Sequence, residues 1–208
     1  MLTVTKLEQQ KKNPGRVNVY LNGEFAFGIS RAVAPWLEEG KEISQQHIND
    51  LQTRDSIESG YQRALNFLSY RGRSEKEIRL NLQKHQVSEE HIELVLEKLR
   101  QNTFVNDLEF AREWVENRSR FKPRGRRALS SELFQKGIDQ DIIDFVLEDL
   151  DEEELALKLA RNKLSKLSTL DQTAFQKKMY GYLSRRGFSY GISKDIISTL
   201  WEELELQS

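Results

Sequence analysis

The 208-residue chain contains no cysteine and only three histidines. The absence of cysteine excludes disulfides and thiolate metal sites, and it fits a reducing cytoplasm. His85 and His91 stand six residues apart and His47 is remote from both, so their spacing forms no metal-ligand pair. We therefore expect no metal site and interpret all three as ordinary helix residues.

Long hydrophobic runs and phosphate-binding motifs are also missing. No apolar stretch approaches the length of a membrane span, and the N-terminus lacks the basic-then-apolar order of a signal peptide. Gly181, Gly187 and Gly191 are spaced too irregularly for a phosphate loop or a dinucleotide fingerprint. We expect a soluble cytoplasmic protein with no membrane segment, no cofactor and no enzymatic activity.

The chain does contain a helical pattern that occurs three times. Segments 87–99, 138–150 and 192–204 each begin with an apolar residue, continue with Ser or Asp, and then space apolar residues at i, i+3, i+4 and i+7. This order is typical of a hydrophobic staple and an N-cap before an amphipathic helix. Copies about fifty residues apart predict repeated units that bury their apolar faces partly against one another.

The helix before each copy also ends in a shared pattern. The same nine-residue interval separates Ile78 from Val87, Leu129 from Ile138, and Met179 from Phe188. Gly137 and Gly187 stand where a left-handed helix stop is expected, and Gln86 takes that place in the first unit. In the third unit the thirteen-residue pattern restarts only at Ile192, and we interpret the four extra residues as one added helical turn.

An earlier apolar segment with helical spacing precedes each helix pair, so one unit is three helices long. The sequence thus predicts a mainly α fold with three tandem three-helix repeats that form an elongated array. The expected boundaries are 57–106, 107–153 and 154–208, after an N-terminal segment that spans residues 1–56.

The N-terminal segment differs from the repeats because it carries strand signals. Asn22 and Gly23 form a strong hairpin turn signal between the alternating segments 16–21 and 24–29, and residues 2–7 could form a third strand. Residues 30–39 and 44–52 predict short helices on either side of Gly40, the second continuing through Ser56. Because two strands alone are marginally stable, we expect this β-hairpin segment to pack on a helix or on a partner.

Charge is distributed unevenly along the chain. The net charge of −1 and the pI near 6.4 argue against indiscriminate nucleic-acid binding, yet basic residues are concentrated in the helix connections. Six cations fall within ten residues that contain no acid, namely Arg118, Arg120, Lys122, Arg124, Arg126 and Arg127. The first unit carries Arg71 and Arg73 in the corresponding connection, and the third carries Arg185 and Arg186.

A solvated surface is the default interpretation of such a charge run. However, six neighbouring cations repel one another and gain little within one small domain, so a polyanion or an acidic protein surface explains them better. Tyr180, Tyr182, Phe188 and Tyr190 lie near the third basic pair. Aromatic residues at this spacing usually belong to a core, although Tyr190 stands among Ser and Gly, where an exposed ring could stack.

Several stretches together resemble the bacterial RecX family. Segments 64–80, 104–114, 124–138 and 182–190 carry the resemblance through their order and spacing across the three repeats, and the N-terminal segment is similar to that of longer members. The resemblance implies a curved array of three-helix repeats that lodges in the groove of the RecA recombinase filament on single-stranded DNA. It also implies a regulator in DNA repair and the SOS response, which suppresses the filament's growth, ATP hydrolysis, strand exchange and coprotease activity.

Two other functional classes stay open. Three-helix units with basic turns resemble helix-turn-helix elements, so one alternative is an autonomous DNA-binding module with strongly salt-dependent affinity in the absence of recombinase. The other is an enzyme with an unrecognised site, which turnover without recombinase would reveal. For the regulator we expect a monomer whose basic connections contact the recombinase, DNA weakly, or both.

Overall fold

The computed structural model describes residues 1–206. Its strands are β1 (Leu2–Gln10), β2 (Asn13–Leu21), β3 (Glu24–Ser30) and β4 (Glu42–Ile43). The helices in this range are α1 (Gln45–Leu68), α2 (Glu75–Lys84), α3 (Glu89–Gln101), α4 (Asp107–Phe121), α5 (Arg126–Gln135), α6 (Gln140–Leu147), α7 (Glu152–Leu164), α8 (Gln172–Ser184) and α9 (Tyr190–Glu205). The chain forms two compact units, Met1–Val105 and a second that begins at Asn106.

The strands form one antiparallel sheet in the order β3-β2-β1-β4. The predicted hairpin is confirmed, since Asn22 and Gly23 join β2 to β3 with φ angles of 51° and 91°. Positive φ at both turn residues is the geometry that favours Asn-Gly in two-residue hairpins. The third strand predicted over residues 2–7 is also confirmed as β1.

The helix predicted over residues 30–39 is wrong. This stretch forms turns instead, and it buries Ala34 and Leu37 against the sheet. Pro35 explains the difference, because it lacks an N–H donor and disfavours helical geometry at the residue before it. The pattern also gave no sign of β4, whose two residues pair with Leu2 and Thr3.

Helix α1 contributes residues both to the core of the sheet and to the core of the first repeat. Its N-terminal part contributes Ile48 and Leu51 to the core of the sheet, and the helix continues through residue 56 without a break. The carboxylate of Asp55, which is only 8% exposed, accepts hydrogen bonds from Arg16 Nη2 at 2.5 Å and from the Ser30 N–H at 2.7 Å. The expectation that the N-terminal segment packs on a helix is therefore confirmed.

The three-helix repeats are confirmed. The C-terminal half of α1 packs with α2 and α3, while α4–α6 and α7–α9 enclose two further cores. The helix stops also follow the prediction, with φ of 84° at Gly137 and 88° at Gly187. Gln86 adopts the same left-handed conformation at 61°, so the missing glycine does not change the turn.

The register predicted for the last helix is wrong. Helix α9 is capped by Ser189, directly after Phe188, as α3 is capped by Ser88 after Val87. The four residues interpreted as an added turn are therefore the cap and the start of the helix. A pattern that starts at Ile192 predicts Leu200 or Trp201 as the equivalent of Leu96 and Leu147. The residue that stands eight positions after its cap, as those two leucines do, is instead Ile197.

This register places a serine where the other repeats have isoleucine. Ser193 lies four residues after its cap, as Ile92 and Ile143 do, and all three side chains are fully buried. The Ser193 Oγ makes no hydrogen bond within residues 1–206. Because this core position holds a serine, the apolar spacing of the third repeat appeared to begin at Ile192 instead of Phe188.

Candidate partner-binding surface

Arg71 and Arg73, the basic residues in the first connection, both contact neighbouring residues of the first repeat. The Arg71 guanidinium pairs with Glu77 at 2.9 Å, across the start of α2. The Arg73 guanidinium lies 3.9 Å from the centre of the Phe67 ring. Burial lowers the pKa of Arg73, and the neighbouring charge of Arg71 lowers this pKa further. Arg73 stays protonated, since a guanidinium is always charged in proteins, and it contributes to the turn chiefly by stacking.

Glu132 of α5 organises the basic connection between α4 and α5. Its carboxylate accepts from Arg118 Nε at 2.7 Å and from the Trp114 indole at 2.9 Å. Arg124 Nε approaches the same carboxylate at 3.7 Å. The guanidinium of Arg118 also lies over the Trp114 ring, 4.5 Å from its centre. Two of the six clustered cations are therefore used within the repeat itself.

Arg126 joins the second repeat to the start of α7 and to the residues just before it. Its backbone N–H donates to Glu152 at 2.8 Å, and its Nε approaches the same carboxylate at 3.8 Å. Its Nη2 also donates to the Glu148 carbonyl at 3.3 Å. The interpretation that folding gains little from the cluster is wrong for Arg118, Arg124 and Arg126, because the sequence did not show which acids they would meet.

The remaining three cations of the cluster are exposed. Within residues 1–206, no carboxylate lies within 4.0 Å of Arg120, Lys122 or Arg127. Arg120 lies over the exposed ring of Phe121, at 5.2 Å from its centre. We name Arg120, Lys122 and Arg127 the exposed triad. These cations remain available to an external anion without first leaving an intramolecular carboxylate.

The third repeat adds its basic pair to the same region. Arg185 is exposed, whereas Arg186 stacks on Tyr182 at 3.8 Å and donates to the Tyr182 carbonyl at 3.2 Å. The Arg186 carbonyl accepts the Gly125 N–H at 2.9 Å. This hydrogen bond joins two basic turns that lie about sixty residues apart in the sequence.

Two glycines make this joint between the turns. A Cβ atom on Gly125 would lie 2.5 Å from the Gly187 carbonyl oxygen, and a Cβ atom on Gly187 would overlap Ala128. Gly125 has an ordinary φ of −73°, so the joint needs its small size and not its conformational freedom. Sequence reasoning missed this contact, because Gly125 gave no helix-stop signal that would set it apart from other loop glycines.

We expect Gly125→Ala to destabilise the protein by about 1–3 kcal/mol, because the added methyl group meets backbone atoms that must move. Urea denaturation measures this free energy of unfolding. Gly191→Ala is the matched control, since a Cβ atom there meets only Ser189 Oγ at 4.0 Å. The control should be neutral or slightly stabilising, because alanine is the better helix former. Equal midpoints for Gly125→Ala and the parent would show that the turns are not tightly joined.

The described residues offer no metal site and no membrane helix. Within residues 1–206, no group of three or more His, Cys, Asp or Glu side chains is placed to hold a metal ion. No helix in the same range is both long and apolar enough to cross a membrane.

The fold defines a helical-repeat protein with an N-terminal sheet and basic inter-helix turns. Four family models match it in order: the RecX N-terminal domain over residues 2–44, and the first, second and third RecX three-helix domains over residues 61–99, 106–147 and 151–197. The chain belongs to the RecX family of regulatory proteins.

Relatives and solved structures agree with this assignment. The regulatory protein RecX of Bacillus subtilis (strain 168) is 33% identical over 99% of this chain and 78% of its own length. That of Bacillus pumilus (strain SAFR-032) is 34% identical over 91% and 74%. A crystal structure of regulatory protein RecX matches with a TM-score of 0.73 at 30% identity, covering 94% of this chain and 98% of the other. The RecX structure from Lactobacillus salivarius gives 0.62 at 32% identity, covering 73% and 98%.

Proposed function

We propose that this protein binds the RecA recombinase filament on single-stranded DNA and lowers its ATPase, strand-exchange and coprotease activities. Membership of a family of regulatory proteins supports a regulatory role. The observation that carries the proposal is the pair of joined basic turns, in which Arg120, Lys122, Arg127 and Arg185 remain exposed. A filament of protein on DNA offers two anionic partners for such a surface, namely acidic side chains and phosphates.

The charge distribution suits binding to a defined partner better than binding to any polyanion. The whole chain carries a net charge of −1, so long-range attraction to nucleic acid is weak. Attraction is instead confined to the turns, where several cations lie close together. The proposed regulator acts in the cytoplasm by contact, without a chemical step of its own.

The alternative is an autonomous helix-turn-helix module, and the helix pairs in each repeat favour it. Its second helix would have to enter the major groove of DNA. The solvent-facing side of α3 carries Glu89, Glu90, Glu93 and Glu97, and that of α6 carries Asp141 and Asp144. Carboxylates on this face would repel the phosphates on both sides of the groove, which counts against duplex recognition.

Co-sedimentation separates the two functions. RecA filaments are assembled on single-stranded DNA with a non-hydrolysable ATP analogue, mixed with the protein and pelleted. We expect the protein in the pellet with filaments, and largely in the supernatant with DNA alone at physiological salt. Equal pelleting with naked DNA would support the autonomous module, and absence from both pellets would contradict the proposed function.

A further inference from the structure

A cleft of about 630 Å³ lies where the second and third repeats meet. Its walls come from the start of α5, the second half of α6, the start of α7, the end of α8 and the start of α9. The residues that matter for its chemistry are Arg127, Ser130, Tyr180, Ser184, Ser189 and Tyr190. The contacts described above between the basic turns do not involve Tyr180 or Tyr190.

The two tyrosines form an exposed aromatic pair. The rings of Tyr180 and Tyr190 meet edge to face, with their centres 5.6 Å apart and their planes at 70°. Tyr180 is 39% exposed and Tyr190 is 66% exposed, so neither ring belongs to the core beneath them. Edge-to-face contact holds the Tyr190 ring in place while leaving much of its surface open. A held, open ring is a stacking platform for a flat ligand.

The surroundings of the rings favour an anion. Arg127 is exposed on the cleft wall, and the hydroxyls of Ser130, Ser184 and Ser189 supply further donors. The positive end of the sixteen-residue helix α9 faces the same space through Ser189 and Tyr190, and its first turn contains no acid. An aromatic platform beside a cation and hydroxyl donors matches a base joined to a phosphate.

Two carboxylates in the cleft bear on this charge balance. Glu152 accepts from the Arg126 N–H at 2.8 Å and so is committed to the joint between the repeats. Asp144 accepts from Gln140 Nε2 at 2.8 Å, yet its side chain stays exposed. The Asp144 carboxylate would repel a phosphate nearby and so limit its affinity. Removing this carboxylate should therefore strengthen binding, whereas removing Arg127 or the Tyr190 ring should weaken it.

We infer that this cleft binds an unpaired nucleotide of single-stranded DNA, with its base stacked on Tyr190 and its phosphate beside Arg127. The choice of DNA rests on the proposed function, because the filament contains a single strand whose bases are not closed into a duplex. The site selects unpaired DNA, since in a duplex both faces of every base are already stacked.

Fluorescence anisotropy of a labelled oligothymidine, measured at low salt without recombinase, tests this inference. We expect Tyr190→Ala to weaken binding about tenfold, which is within the range for loss of one base–aromatic stack. Tyr190→Phe should bind as the parent does, because it keeps the ring. Phe134→Ala is the matched control. Phe134 is also 66% exposed, but it lies on α5 about two turns beyond Arg127 and does not line the cleft.

Charge variants test the phosphate side of the cleft. Arg127→Gln should weaken binding and reduce the slope of log affinity against log salt by about 0.7, as expected for one phosphate contact on a single strand. Asp144→Asn should strengthen binding by removing a repulsive charge. Circular dichroism of each variant confirms that the helices are retained.

Three results would overturn the inference. These are unchanged affinity in Tyr190→Ala, equal weakening in Phe134→Ala, or binding of a duplex of the same length as tightly as the single strand. Absence of oligothymidine binding by the parent would also overturn it. Inhibition of the recombinase is measured separately, so the proposed function could stand while the nucleotide site fails.

Discussion

Reversing the exposed triad to glutamate, as Arg120→Glu, Lys122→Glu and Arg127→Glu together, is expected to abolish inhibition of RecA while leaving the protein folded. Each substitution removes a cation and adds an anion on a surface proposed to meet acidic side chains or phosphates. The fold should survive, because no carboxylate within residues 1–206 pairs with these three side chains. Arg124 is left in place because it approaches Glu132 at 3.7 Å.

A second triple variant controls for the change in net charge. Lys11→Glu, Lys12→Glu and Lys76→Glu together alter the net charge equally, on exposed positions outside the second repeat. This control should inhibit as the parent does. Inhibition by the parent should also weaken with added salt, as the Debye length falls from about 10 Å at 0.1 M toward about 3 Å at 1 M. Full inhibition by the reversed triad would mean that these cations form only a solvated surface.

Leu147→Ala is expected to destabilise the protein by about 2–5 kcal/mol, the usual cost of truncating a fully buried leucine. Leu147 is 1% exposed in the core that α4, α5 and α6 enclose, so the shorter side chain leaves a cavity. Denaturation in urea, followed by circular dichroism, measures the free energy of unfolding. Phe145→Ala on the same helix is the control, because its ring is more than half exposed and its removal should destabilise the protein clearly less than removal of the buried Leu147 side chain. A midpoint for Leu147→Ala equal to that of the parent would show that the repeat core has been misassigned.

The sequence predicted the repeats because their signals are local. An N-cap such as Ser88 and the apolar positions that follow it lie within one or two helical turns, where spacing alone indicates which face is buried. The Asn22–Gly23 hairpin is local in the same sense, since two residues determine the turn. The prediction failed for the register of α9. A buried serine, Ser193, takes the place of an isoleucine there, so the apolar pattern appeared to start one turn late.

Contacts between distant residues could not be predicted in this way. The short strand β4 is defined by its pairing with Leu2 and Thr3, about forty residues earlier in the sequence. Sequence identified all six cations of the basic connection, but the acids that hold half of them, Glu132 and Glu152, follow from the packing of helices. The joint between Gly125 and Gly187 likewise depends on how two repeats meet, and it is this joint that brings the second and third basic turns together.

The most direct test of the proposed function is the ATPase of RecA on single-stranded DNA, titrated with this protein. RecA from the same organism should be used, with filaments assembled before the protein is added. We predict that the rate of ATP hydrolysis falls progressively as the protein is added, and that the reversed triad leaves it unchanged. An ATPase rate that stays constant across the titration with the parent protein would contradict the proposed function.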